Sequence, residues 1–79
     1  MNLAIGEKIK VLHASDPNQV GLVGELLLET SRTILVECAG RKVRIQKHDT
    51  VFQVAGRGEV IRGDEILGRL EERIARASP

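Results

Sequence analysis

Val20-Gly21-Leu22-Val23-Gly24-Glu25-Leu26-Leu27-Leu28-Glu29-Thr30 runs into a turn at Ser31-Arg32 and then into Thr33-Ile34-Leu35-Val36. After Gly40 the chain continues as Arg41-Lys42-Val43-Arg44-Ile45-Gln46-Lys47. Gly21 and Gly24, three residues apart at a strand start, suit a bulge or sharp bend, which a small barrel needs to close. The strand expected over Val23–Thr30 is too apolar in its middle to be exposed on both faces. Ile34, Val36 and Cys38 share one parity and are assigned to the core face of a third strand. In a fourth strand Val43 and Ile45 continue the core, Lys42 and Arg44 point the opposite way, and Arg41 and Lys47 flank them. A strand that bends, a short hairpin and a strand with a basic face describe a tiny barrel that holds a polyanion.

Working outward, Lys8–His13 alternates as a first strand with Ile9 and Val11 inward. Ser15-Asp16-Pro17-Asn18 is a dense turn signal. Val51–Ala55 reads as a fifth strand, Gly56-Arg57-Gly58 as a turn, and Glu59–Arg62 as a short return. The period then changes: Ile66, Leu67, Leu70 and Ile74 recur at helical spacing, which predicts a terminal helix over about 64–77. Asp64 can cap that helix, or Gly68 can separate a strand end from a helix beginning near Arg69. The tail Ala77-Ser78-Pro79 is expected to fray. Together these give one mainly β domain over 1–79, an Sm-like or SH3-like antiparallel barrel of about six strands, with closure limiting exposed edges.

Composition narrows the function classes. Seventy-nine residues make one small domain with a limited core. A net charge of +1 means that any nucleic-acid role depends on where charges sit rather than on their sum. No apolar run approaches the roughly 20 residues of a membrane helix, and no signal-peptide core opens the chain. The single Cys38 cannot form an internal disulfide, which points to the cytoplasm.

Lys8 and Lys10 on the first strand, and Arg41, Lys42, Arg44 and Lys47 on the fourth, are the candidate nucleic-acid contacts, with Arg69, Arg73 and Arg76 near the terminal helix. No acid interrupts the seven residues from Arg41 to Lys47, although outward lysines also serve solubility and edge protection. If about four of these cations meet phosphates, log affinity falls with log salt at a slope near −3. Single-strand binders stack bases on exposed aromatics, and here only Phe52 is present, placed between apolar neighbours as core. Backbone and shape recognition of folded RNA is therefore favoured over base stacking. No catalytic constellation emerges. His13, Ser15 and Asp16 crowd one turn, His48-Asp49 lacks a third ligand, and Cys38 lies on the core face. Glu71 and Glu72 diverge on a helix, and Gly56-Arg57-Gly58 does not lead into a phosphate-binding helix with a Lys. Other readings are a ribosomal or translation-associated barrel and a protein-interaction barrel, the latter lacking the aromatic groove used for Pro-rich ligands.

The segments Val20–Glu25, Glu29-Thr30 with Thr33-Ile34-Leu35, Lys47 and Phe52 resemble the archaeal ribonuclease P protein component 1, whose eukaryotic relative is a subunit of nuclear ribonuclease P and MRP ribonuclease. Gly63, Leu67, Gly68-Arg69 and Glu72-Arg73-Ile74 extend the similarity over nearly the whole chain. The resemblance implies an Sm-like barrel and a non-catalytic subunit of the ribonucleoprotein that removes 5′ leaders from precursor tRNA. It further implies that the RNA subunit and its Mg²⁺ ions perform hydrolysis, with no cofactor bound by this chain. The implied partners are ribonuclease P RNA, precursor tRNA within the complex, and the zinc-containing protein component 4. Two features depart from the family. Leu70 stands where relatives commonly have Pro, and the chain begins almost at the barrel, so a partner-contacting N-terminal arm is expected to be short or missing.

Overall fold

Alternate residues of each strand turn to one face, and these are the apolar ones. In the computed structural model, which describes residues 3–68, Ile9, Val11, Leu26, Ile34, Val36, Ile45, Phe52, Val54 and Ile61 are almost wholly buried. They belong to six strands: β1 Lys8–His13, β2 Val23–Glu29, β3 Thr33–Cys38, β4 Arg41–Gln46, β5 Val51–Val54 and β6 Glu59–Arg62. The sheet order is β4-β3-β2-β1-β5-β6, with every neighbouring pair antiparallel. The expected six-stranded, mainly β architecture is present as an open sheet with β4 and β6 at its edges.

Turn chemistry sets the register. Ala39 and Gly40 both have positive φ, 51° and 81°, and join β3 to β4 through a two-residue hairpin. The β2–β3 turn is tied by Thr30, whose hydroxyl accepts from the Thr33 backbone N–H at 3.0 Å. That turn presents Ser31 and Arg32 at its tip. The bend expected at Gly21 and Gly24 divides into separate features. The register of β2 against β3 shifts between Leu26 and Leu28, so one extra residue, Leu27, reverses the parity that follows. Gly24 serves close approach instead: a Cβ there would lie 2.6 Å from Cys38 Sγ and from the Glu37 carbonyl oxygen.

The edges are managed locally. Gln19, in the 3-10 turn Pro17–Gln19, donates its amide to the Arg44 carbonyl at 3.1 Å. Thr50 donates its hydroxyl to the Gln46 carbonyl at 2.7 Å. Two edge carbonyls of β4 are thus occupied by side chains, which blunts this edge for strand addition. The helix expected over about 64–77 does not begin at Asp64. Gly63–Ile66 is a 3-10 turn and Leu67 is extended, with φ −63° and ψ 144°. Asp64 accepts from the Asp49 backbone N–H at 3.2 Å rather than capping a helix. The remainder of that expectation, residues 69–77, lies outside the described residues.

Candidate nucleic-acid interface

Lys8, Lys10, Arg41, Lys42 and Arg44 are all exposed, as the strand pattern requires. They do not form one patch. Across the outer face, Lys42 stands opposite Glu37, Glu37 opposite Glu25, and Glu25 opposite Lys8. Directly opposed side chains on one face lie about 5 Å apart at Cβ, closer than neighbours two residues along the same strand. This row therefore reads plus, minus, minus, plus. Its lysines compensate two glutamates that would otherwise repel. Lys10 is free of such an acid, with Val23 on one side and Gln53 on the other. Arg44 faces Leu35. Arg41 pairs with Cys38 and has the parity of Val43 and Ile45, so it projects at the β3–β4 turn rather than beside Lys42.

Lys47 is the correction. The sequence pattern places it with the surface cations, but in the structure it shares the inward parity of Val43 and Ile45 and its side chain is 0% exposed. The ammonium lies 2.8 Å from Glu29 Oε2. It donates to the carbonyls of Ile66 at 2.8 Å, Gly68 at 3.2 Å and Ser31 at 3.4 Å. The extra residue at Leu27 makes this possible, because it turns Glu29 onto the face of its partner Ile34. Lys47 thereby joins the end of β4 to the β2–β3 turn and to the segment after β6. It holds structure together and has no surface to offer RNA. Gly63 belongs to the same node: a Cβ there would overlap the Lys47 carbonyl.

What the fold does bring together was not visible along the strands. A cleft lined by Ser31, Arg32, Thr33, Gln46, His48, Leu67 and Gly68 adjoins a second one along β4. The second adds Ser15, Asp16, Gln19, Arg44 and Thr50, and shares Thr33, Gln46 and His48 with the first. Among the described residues of the predicted set, Arg44 lines it. Arg32 and His48 join from loops, where no periodic pattern marks them; the tip position of Arg32 in a two-residue turn was the available signal. His48-Asp49 is an exposed turn pair as expected, and His48 Nδ1 lies 3.0 Å from Asp64 Oδ1. Arg69, Arg73 and Arg76 lie outside the described residues. Among the described residues, no three His, Cys, Asp or Glu side chains are grouped to hold a metal ion, and no helix is long and apolar enough to cross a membrane.

The family described as ribonuclease P/MRP, subunit p29, matches residues 2–76. The chain is similar to ribonuclease P protein component 1 of Sulfurisphaera tokodaii, 37% identical over 71 residues that cover 87% of this chain and 92% of the relative. It is also similar to the protein of that name from Staphylothermus marinus, 42% identical over 74 residues covering 89% of this chain and 80% of the relative. The solved structure of Mth11, described as a homologue of human RNase P protein Rpp29, superposes with a TM-score of 0.65 at 27% identity. That superposition covers 92% of this chain and 99% of Mth11. These matches agree in sequence and in the six-stranded fold, and the chain belongs to the ribonuclease P/MRP subunit p29 family.

Proposed function

We propose that this chain is a non-catalytic RNA-binding subunit of ribonuclease P, supporting removal of the 5′ leader from precursor tRNA by the RNA of the complex. The observation that carries the reading is family membership across residues 2–76, combined with cations held outward on β1 and β4. Lys10, Arg41 and Arg44 have no acid opposite them and are the strongest phosphate contacts; Lys8 and Lys42 contribute through a row they share with Glu25 and Glu37. Arg approaches phosphate bidentately and Lys as a point charge. Arg69, Arg73 and Arg76 extend the set in this reading. Mg²⁺ belongs with the RNA, and the chain's protein partner is the zinc-containing component 4. Its working compartment is the cytoplasm.

The test is reconstitution. Precursor-tRNA cleavage by ribonuclease P RNA and its proteins is measured at limiting Mg²⁺ with this chain, without it, and with a K42A/R44A variant. Cleavage falls on omission and falls partway with the variant. Cleavage unchanged on omission contradicts the reading.

A further inference from the structure

Two features of the cleft beside β4 go beyond general backbone contact: several of its polar groups are tied to the protein, which fixes the walls, and four others are left unspent. The Gln19 amide pins the Pro17–Gln19 turn to the Arg44 carbonyl. Asp16 accepts from the Asn18 backbone N–H at 2.9 Å and holds that loop in shape. Thr50 donates to the Gln46 carbonyl at 2.7 Å and lies 3.1 Å from that of His48. The Arg32 carbonyl accepts from the Lys47 backbone N–H at 2.8 Å, so the buried lysine node fixes the other wall. Among the described residues, the side chains of Ser15, Arg32, Arg44 and Gln46 make no hydrogen bond or ion pair within the protein. A preorganised cavity with unspent donors and acceptors is what tight recognition of a small polar group requires.

Size and polarity select the group. The two lobes, about 370 and 810 Å³, fall within the range of small-ligand sites, roughly 300–1,000 Å³. Arg32 lines the larger lobe, Arg44 and the Asp16 carboxylate line the smaller one, and His48 is shared by both. A bare anion satisfies only the cations. A nucleotide satisfies the carboxylate as well, with its phosphate toward the arginines and the hydrogen-bonding edge of its base toward Gln46, Ser15 and Asp16. With no Phe, Tyr or Trp in the lining, the His48 ring or an arginine guanidinium plane supplies what stacking there is. A base held in a duplex cannot enter, because its edge is already paired and its neighbours block the approach.

We infer that this cleft receives a single unpaired nucleotide of the bound RNA. The inference rests on the reading of the chain as an RNA binder and adds that it distinguishes a bulged or looped nucleotide from continuous duplex.

The experiment uses the full chain and two fluorescein-labelled RNA hairpins, identical except that one carries a single-nucleotide bulge. Affinities are measured across a salt series. The bulged hairpin binds about tenfold more tightly, as one added charge-assisted contact provides. Arg32→Ala and Gln46→Ala abolish that preference while leaving the thermal midpoint in place, since neither side chain is used within the fold. In nuclear magnetic resonance titrations, uridine 5′-monophosphate shifts the side-chain amide signals of Gln19 and Gln46, and inorganic phosphate at the same concentration does not. Equal affinity for the two hairpins, with salt dependence retained, overturns the cleft assignment and leaves the RNA-binding reading standing. Equal shifts with inorganic phosphate also overturn it, reducing the cleft to an anion site. Absence of salt-dependent binding to either hairpin overturns both.

Discussion

The fully buried Lys47 meets Glu29, whose side chain is 14% exposed, at 2.8 Å, with backbone carbonyls completing the ammonium's shell. Removing one member leaves the other charged and buried, which costs about 3–5 kcal/mol, a large share of the stability of a small domain. Lys47→Met is therefore predicted to lower the urea unfolding midpoint severely, whereas Lys42→Ala shifts it little; K47M/E29L recovers part of the loss by removing the orphaned carboxylate. Equal, small effects of K47M and K42A would contradict the buried node. The signal for this residue was present in the chain, because Lys47 continues the Val43–Ile45 parity. Charge argued against reading it inward, and its partner is hidden from periodicity: Glu29 reaches the inner face only because Leu27 is an extra residue in β2.

At the scale of the strand, the basic face of β4 changes meaning once its neighbours are known. Read along the chain, seven residues without an acid describe a positive stripe. Read across the sheet, Lys42 abuts Glu37 and, beyond it, Glu25 and Lys8. Glu37→Gln removes a negative charge from this row, and RNA affinity at low salt is predicted to rise about two- to threefold, the scale of one exposed charge pair. Filter binding at two salt concentrations checks this, with the gain shrinking at high salt as screening demands; an unchanged affinity at low salt would mean RNA does not approach this row. The strands themselves were legible almost to the residue, since period-2 alternation and turn residues are local signals. The cross-strand acids, the loop-borne Arg32 and His48, and the 3-10 turn at Gly63–Ile66 were not, since each is set by contacts distant in sequence. Ile66 shows the last case. Its side chain is buried and its carbonyl is bound by Lys47, so the segment follows the core rather than its own helical spacing.

For the molecule as a whole, an open six-stranded sheet holds its two edges by different means and leaves its cations outside. Side chains occupy β4 carbonyls, and the lysine node ties the end of β4 to the segment after β6. The sheet carries Lys8 and Lys10 on β1 and Lys42 and Arg44 on β4, three strand spacings along the sheet, or roughly 14 Å. Separation of that order suits contact with phosphates spread over folded RNA better than with one short single strand. Outward cations that meet phosphates bind RNA by displacing counterions, which makes the affinity depend on salt. The most direct measurement is the affinity of the full chain for ribonuclease P RNA as a function of salt, compared with K42A/R44A. About four phosphate contacts predict a slope of log affinity against log salt near −3, falling to about −1.5 when two contacts are removed. A slope that is the same for both proteins would exclude Lys42 and Arg44 as phosphate contacts.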